Sequence, residues 1–135
     1  MVVNRINMKK QKIYRLGDLQ LQIMKVLWES EEATVSQVLE SLPDQPGLAY
    51  TTIATMLRKM EGRGLLDHRV EGRSFIYRAK VAEADVSRSM ADHLVDRLFE
   101  GSLTEAVSHL LSTREVSCEE LAKLERLIAE RKKRA

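Results

Sequence analysis

One segment, AYTTIATMLRKMEGRGLLDHRVEGRSFIYR over residues 49–78, changes its hydrophobic period once, from a helical repeat to an alternating one. Its first part predicts a helix over 50–61, because four apolar side chains share one side of a helical wheel. These four are Ile53, Met56, Leu57 and Met60. Gly62 and Gly64 end the helix, and LLDHRV and SFIYRA then predict two strands around a tight turn at 71–73.

Two helices are predicted before this segment, and the second of them is short. Asp18 is the predicted N-cap of the first helix, which has apolar residues at helical spacing. Thr34 and Gln37 have the spacing of a capping box, which opens a second helix that the Pro- and Gly-containing stretch 43–47 stops. Residues 1–15 lack periodicity and are predicted to form a flexible basic tail. The first 80 residues therefore predict three helices followed by a two-stranded hairpin.

Residues 81–135 change to helix-forming composition and predict three amphipathic helices, two of them opened by Ser-x-x-Glu capping boxes at 102–105 and 117–120. Their apolar stripes include Met90, Leu94, Leu98, Val107, Leu110, Leu121, Leu124 and Ile128. Such stripes need a partner surface, either the first domain or a second copy of the chain. The length and continuity of the stripes favour a second copy, so 81–135 is predicted to be a helical dimerisation region.

Composition excludes several classes of function. The single cysteine, Cys118, can form neither an intramolecular disulfide nor a cysteine cluster for zinc. His68, His93 and His109 lie in different predicted elements, and no catalytic motif accompanies them, so neither an enzyme nor a metal or cofactor site is predicted. No apolar run is long enough to span a bilayer, and a cytoplasmic location is expected.

Charge divides unevenly along the chain. Residues 1–80 contain 13 Lys and Arg against 9 Asp and Glu, a net charge of +4, whereas 81–135 carry −2. A basic front part is compatible with nucleic acid at that end of the molecule.

The outward side of helix 50–61 is the predicted DNA-reading surface, since a helix of this size fits a major groove about 12 Å wide. Thr51 and Thr55 can donate to phosphates or base edges, and Arg58 can bind a phosphate or guanine. Tyr50 and Thr52 lie by the helix N-terminus, where a phosphate is also favoured. The alternative is that this side is only the solvent face of a core helix.

The predicted hairpin adds positive charge beside that helix. His68, Arg69, Arg73 and Arg78 surround its turn, and arginine is favoured in an adjacent minor groove. Arg69 and Arg73 are predicted DNA contacts, with Arg73 at the tip the stronger candidate, whereas Arg78 is interpreted as a solvated surface residue.

Taken together, LGDLQLQIMKVLW, AYTTIATMLRKMEGRGLL and VEGRSFIYRA resemble the penicillinase-repressor (BlaI/MecI/CopY) family of bacterial winged-helix repressors. The likeness runs from about Leu16 to the last helix and is most specific over 50–77. It implies a mainly α fold with a small β-hairpin wing, in which a winged helix-turn-helix domain over 16–80 precedes the dimerisation region. It also implies a homodimeric transcriptional repressor bound to an inverted-repeat operator in duplex DNA. Residues matching the recognition-helix and wing-tip positions are Tyr50, Thr51, Thr52, Thr55, Arg58 and Arg73.

Two departures from that family limit what the resemblance implies. The copper-responsive branch ends in a cysteine cluster, which this chain lacks, so metal sensing of that type is not expected. The β-lactam-responsive branch is cut by a membrane-bound sensor protease at an Asn–Phe bond, and ungapped comparison puts His109-Leu110 there instead. Derepression by proteolysis or by weakened dimerisation is the expectation. A protein-binding winged-helix module and a small-molecule-sensing winged-helix regulator stay open as alternatives.

Overall fold

The computed structural model describes residues 13–42 and 47–135. The helices are α1 (Asp18–Ser30), α2 (Val35–Glu40), α3 (Tyr50–Gly62), α4 (Glu83–Leu98), α5 (Leu103–Thr113) and α6 (Cys118–Arg134). The strands are β1 (Ala33–Thr34), β2 (Leu66–Glu71) and β3 (Ser74–Ala79). This order confirms the predicted mainly α fold with a small β-hairpin wing. Most of the predicted tail over 1–15 lies outside the described residues. Pro43 and Pro46 also lie outside them.

The described residues up to Ala91 form one compact unit, and Asp92–Ala135 form a second. These two units meet inside α4, and the predicted domain boundary at residue 80 stays a prediction. In the first unit, α1, α2 and α3 pack with the sheet around one hydrophobic core. The largest fully buried side chains in that core are Ile23, Met24, Leu27, Val38, Ile53, Leu57, Met60 and Leu66.

The sheet has three antiparallel strands in the order β1-β3-β2. The β2–β3 hairpin is the predicted one, and Gly72 at its turn has φ +63°, a conformation that glycine adopts without steric cost. The third strand, β1, was not predicted from sequence, because two residues are too few to show an alternating pattern. It pairs Ala33 with Tyr77 and Thr34 with Ile76, which ties the hairpin to the start of α2.

Helix N-termini follow the predicted capping chemistry with one correction. The predicted capping box of α2 is confirmed, since Gln37 N–H donates to Thr34 Oγ1 at 3.2 Å and Thr34 N–H donates to Gln37 Oε1 at 2.9 Å. The assignment of Asp18 as N-cap of α1 was wrong by one residue. Gly17 is the N-cap, because its backbone is extended (φ −70°, ψ 170°), and Asp18 is already helical.

Ser102 and Ser117 cap α5 and α6 as predicted, although only one half of each predicted capping box forms. Each hydroxyl accepts a hydrogen bond of 3.1 Å from the backbone N–H three residues later, at Glu105 and Glu120. In both pairs the serine therefore satisfies one of the free amides of the first turn.

Glu31 ends α1 with a positive φ of 70° and ψ of −48°. A Cβ is strained in this conformation, whereas glycine adopts it freely. We expect Glu31→Gly to raise the free energy of unfolding by about 0.5–1 kcal/mol, after allowing for the greater freedom of glycine in the unfolded chain. Urea denaturation measures the change, with Glu31→Ala as control because it removes the same carboxylate but keeps the Cβ. Equal stability of the two variants would contradict the expectation.

Candidate nucleic-acid interface

Helix α3 has its predicted apolar side toward the core and its predicted polar side toward solvent. Ile53, Leu57 and Met60 are completely buried, while Met56 lies half-buried at the edge of the core. On the other side, four polar residues are exposed: Thr51, Thr52, Thr55 and Arg58. The predicted orientation of the helix is therefore confirmed. Contact of these residues with DNA stays a prediction.

Among the described residues, no side chain caps the N-terminus of α3. Its N-cap is Ala49, which has no hydrogen-bond acceptor beyond its own carbonyl, and that carbonyl accepts from the N–H groups of Thr52 and Ile53. The exposed ring of Tyr50 lies at this first turn of the helix. Such a terminus has the partial positive charge that favours an anion.

A cleft in the first unit lies between the start of α2, α3 and the hairpin. It brings Tyr50 and Arg58 of α3 together with Arg73 of the turn. All three are residues that the sequence predicts to contact DNA, and that contact stays a prediction. Further lining residues are Thr34, Val35, Ser36, Ala54, Ser74, Phe75 and Tyr77. Thr51, Thr52 and Thr55 do not line it. The cleft therefore combines two guanidinium groups with hydroxyls and aromatic rings.

Arg58 and Arg73 are the two arginines that line the cleft. Within 13–42 and 47–135, neither guanidinium forms an ion pair or a hydrogen bond with another side chain. Both are exposed to solvent. Each keeps its donors available for an external acceptor such as a phosphate oxygen.

Arg69 lies on the opposite side of the hairpin and is already paired. Its Nε and Nη2 donate to Glu32 at 3.4 and 2.9 Å, and its Nη1 donates to Glu71 at 2.6 Å. The hydrogen bond from Arg69 lowers the pKa of Glu32, and the two carboxylates raise the pKa of Arg69. Sequence reasoning grouped Arg69 with Arg73, because alternation along one strand does not show which arginine has an acidic neighbour.

Arg78 also has an acidic partner on this side of the sheet. Its Nε donates to Asp67 at 2.9 Å, which lowers the pKa of Asp67 and raises that of Arg78. The interpretation of Arg78 as a surface residue agrees with its exposure, and the structure adds the ion pair.

His68 connects the hairpin to the end of α3. Its Nδ1 lies 2.8 Å from both carboxylate oxygens of Glu61, and its ring stacks on Phe75 at a centroid distance of 4.2 Å. Tyr77 packs beside both rings, and burial together with the charge of Glu61 raises the pKa of its phenol. No spacing rule relates His68 to Glu61, so sequence reasoning missed this contact.

The predicted dimerisation residues lie on α4, α5 and α6. Six of them are exposed: Leu94, Leu98, Val107, Leu110, Leu121 and Ile128. Met90 and Leu124 are half-buried. Along α4 the exposed fraction rises from 1% at Val86 to 48% at Leu94 and 68% at Leu98. Exposed apolar surface is where a partner can bind, and binding of a second copy to these residues stays a prediction.

Among residues 13–42 and 47–135, no group of three or more His, Cys, Asp and Glu side chains could hold a metal ion. Over the same residues, no helix combines the length and the hydropathy that a bilayer span requires.

Known proteins similar to this chain share one family. The profile of the penicillinase repressor family matches residues 16–130. The chain belongs to the penicillinase repressor family. It is 30% identical over 124 residues to the penicillinase repressor of Bacillus licheniformis, covering 92% of this chain and 97% of the relative. It is 35% identical over 122 residues to the transcriptional regulator BlaI of Mycobacterium tuberculosis, covering 88% and 86%.

Among solved structures, the chain is similar to Bacillus licheniformis BlaI, in its monomeric form in complex with the blaP half-operator. The two share 33% identity, the match covers 56% of this chain and 92% of that one, and the TM-score is 0.47. The penicillinase repressor family consists of transcriptional repressors, which confirms the prediction that the chain is not an enzyme.

Proposed function

We propose that this family member is a homodimeric repressor whose two α3 helices enter successive major grooves of an inverted-repeat operator. The observation that carries the proposal is the solvent-facing side of α3, which presents Thr51, Thr55 and Arg58 near Arg73, an arginine without an ion pair among residues 13–42 and 47–135. Short polar side chains let a helix lie deep in a groove, and cationic ones at its margin meet phosphates. In such dimers the half-sites lie about 34–36 Å apart.

Residues inside and outside the cleft are assigned different contacts with DNA. When α3 occupies a major groove and the wing tip lies toward the neighbouring minor groove, the sugar–phosphate strand between the grooves runs along the cleft. Arg58, Arg73 and Tyr50 line that cleft, so their contacts are assigned to the backbone. Thr51 and Thr55 lie outside the cleft on the exposed side of α3, and they are assigned to base edges. Thr52 is assigned to a phosphate near the N-terminus of α3, where free backbone N–H groups favour an anion.

Salt dependence tests the backbone assignment. The DNA for this test is a duplex selected from random sequences by the wild-type protein. We expect Arg58→Ala and Arg73→Ala each to weaken binding to this selected duplex about tenfold, because each loses a charge-assisted hydrogen bond. Each should also lower the slope of log K against log salt by about 0.9, the value for one lost phosphate contact in B-DNA. Arg78→Ala is the matched control, since Arg78 is an arginine of the same hairpin that pairs with Asp67.

The duplex for this measurement is obtained by selecting random DNA with the full-length wild-type protein. A twofold-symmetric consensus supports the proposal, and failure to enrich any duplex would contradict it. Wild-type slopes in both Arg58→Ala and Arg73→Ala would show that the cleft does not hold the backbone.

Dimerisation is proposed for the exposed apolar side of 81–135, which a second copy would cover. Each linked half-site raises the effective concentration of the other, so weakening the dimer releases the operator. We further propose that a membrane-bound sensor protease is one route to this release. The His109-Leu110 bond lies inside α5, so cutting there requires local unfolding of that helix.

The alternative is a winged-helix module that binds another protein through α3. Its affinity would depend weakly on salt, whereas DNA binding falls steeply as phosphate counterions are released. The guanidinium groups of Arg58 and Arg73 form no ion pair among the described residues, and this favours DNA binding over protein binding.

A further inference from the structure

Arg69 joins three parts of the first unit across its sheet. It lies on β2, opposite Ile76 of β3, and Ile76 in turn pairs with Thr34 of β1. Glu32 precedes β1, on the far side of β3 from Arg69. Because neighbouring strands lie about 4.8 Å apart, the side chains of Arg69 and Glu32 together bridge two strand spacings. The Arg69–Glu32 pair therefore connects the edge strand of the wing to the turn that ends α1.

The geometry of this pair is that of a structural contact. Nε and Nη2 of Arg69 bind the two oxygens of Glu32, and Nη1 binds Glu71, so all three guanidinium nitrogens are used. Two carboxylates surround one guanidinium, which leaves the cluster with a net charge of −1. Such a cluster repels a phosphate, whereas Arg73, four residues further along the hairpin, has no acidic partner among the described residues.

The turn that contains Glu32, to which Arg69 binds, has a strained backbone. Glu31, beside Glu32, has a φ of 70°, and non-glycine residues keep such angles only where the surrounding structure holds them. Beyond Arg69 the hairpin becomes exposed, with Val70, Phe75 and the turn residues in contact with solvent. From Arg69 to the end of β2, the side-chain hydrogen bonds to a residue outside the hairpin, among the described residues, are those of Arg69 to Glu32.

We infer that Arg69 is a positioning residue, which binds Glu32 and Glu71 to hold the wing where Arg73 reaches the DNA backbone. The inference rests on the proposed function, and it replaces the sequence-based assignment of Arg69 as a DNA contact. It assigns the two arginines of one hairpin different roles, with Arg69 ordering the wing and Arg73 binding phosphate.

A charge exchange tests the inference with the full-length protein and the selected duplex. We expect Arg69→Glu alone to weaken binding at least tenfold, because three carboxylates then repel one another across the sheet. Adding Glu32→Arg restores one salt bridge at the same place and should recover most of the affinity, with the wild-type salt slope. Arg73→Glu combined with Glu32→Arg is the matched control and should not recover.

Three results would overturn the inference. The first is a double variant that binds no better than Arg69→Glu. The second is an Arg69→Gln protein whose salt slope falls by about 0.9, as for a direct phosphate contact. The third is a change in the free energy of unfolding with no change in DNA affinity, which would make the pair merely stabilising.

Hydrogen exchange of the β2 and β3 amides separates this inference from the proposed function. Protection of the wing amides should fall in Arg69→Glu and return in the double variant, whether or not DNA is present. If protection follows this pattern but wild-type protein selects no duplex, only the proposed DNA binding fails. Unchanged protection in Arg69→Glu would contradict the positioning role itself.

Discussion

Replacing Leu94 by aspartate is expected to convert the dimer to monomers and to weaken operator binding by about 10²- to 10⁴-fold. Leu94 follows Val86 and Met90 at four-residue intervals along α4, and it is 48% exposed in the single chain. In the proposed dimer this side chain lies in an apolar interface, where an unpaired carboxylate is strongly unfavourable. Sedimentation measures the assembly state, and gel-shift titration measures the affinity.

Ser108→Asp is the control for this change. It adds the same charge to the second compact unit, at an exposed polar position of α5, and should leave the dimer intact. Far-ultraviolet circular dichroism of both variants checks that the helices persist. A Leu94→Asp protein that sediments as the wild-type dimer would show that this part of α4 lies outside the interface.

Leu57→Ala is expected to lower the free energy of unfolding by about 2–5 kcal/mol, the range for a leucine removed from a packed core. Leu57 is completely buried on the inner side of α3, directly behind the proposed DNA-reading surface. The substitution leaves a cavity against the core and keeps every exposed side chain of the helix. Urea denaturation at fixed protomer concentration measures the loss, since the stability of a dimer depends on concentration.

Thr55→Ala provides the matched comparison on the outer side of α3. Thr55 is exposed, so its removal should change stability by less than about 0.5 kcal/mol, while it alters the base preference of the selected duplex. Similar stability losses in Leu57→Ala and Thr55→Ala would contradict the assigned orientation of α3.

The local elements of this protein were largely predictable from sequence. Hydrophobic period, turn residues and capping pairs act over a few residues, and they gave α3, the hairpin and the Thr34–Gln37 capping box correctly. The N-cap of α1 was misplaced by one residue, because glycine caps through its backbone conformation rather than through a side chain. Strand β1 was missed, because its two residues form a strand only through pairing with β3.

By itself, then, the sequence determined which side of α3 is buried and that polar side chains face outward, since a helical repeat contains that information. Only the tertiary structure decided which arginines are free. Arg69 and Glu32 are 37 residues apart, and Arg78 and Asp67 meet only once the hairpin has closed. Ion pairs between distant segments depend on how strands align, and no local pattern records that alignment. The fold gives Arg69 and Arg78 of the wing acidic partners, whereas Arg58 of α3 and Arg73 of the wing tip line the cleft and form no ion pair among the described residues.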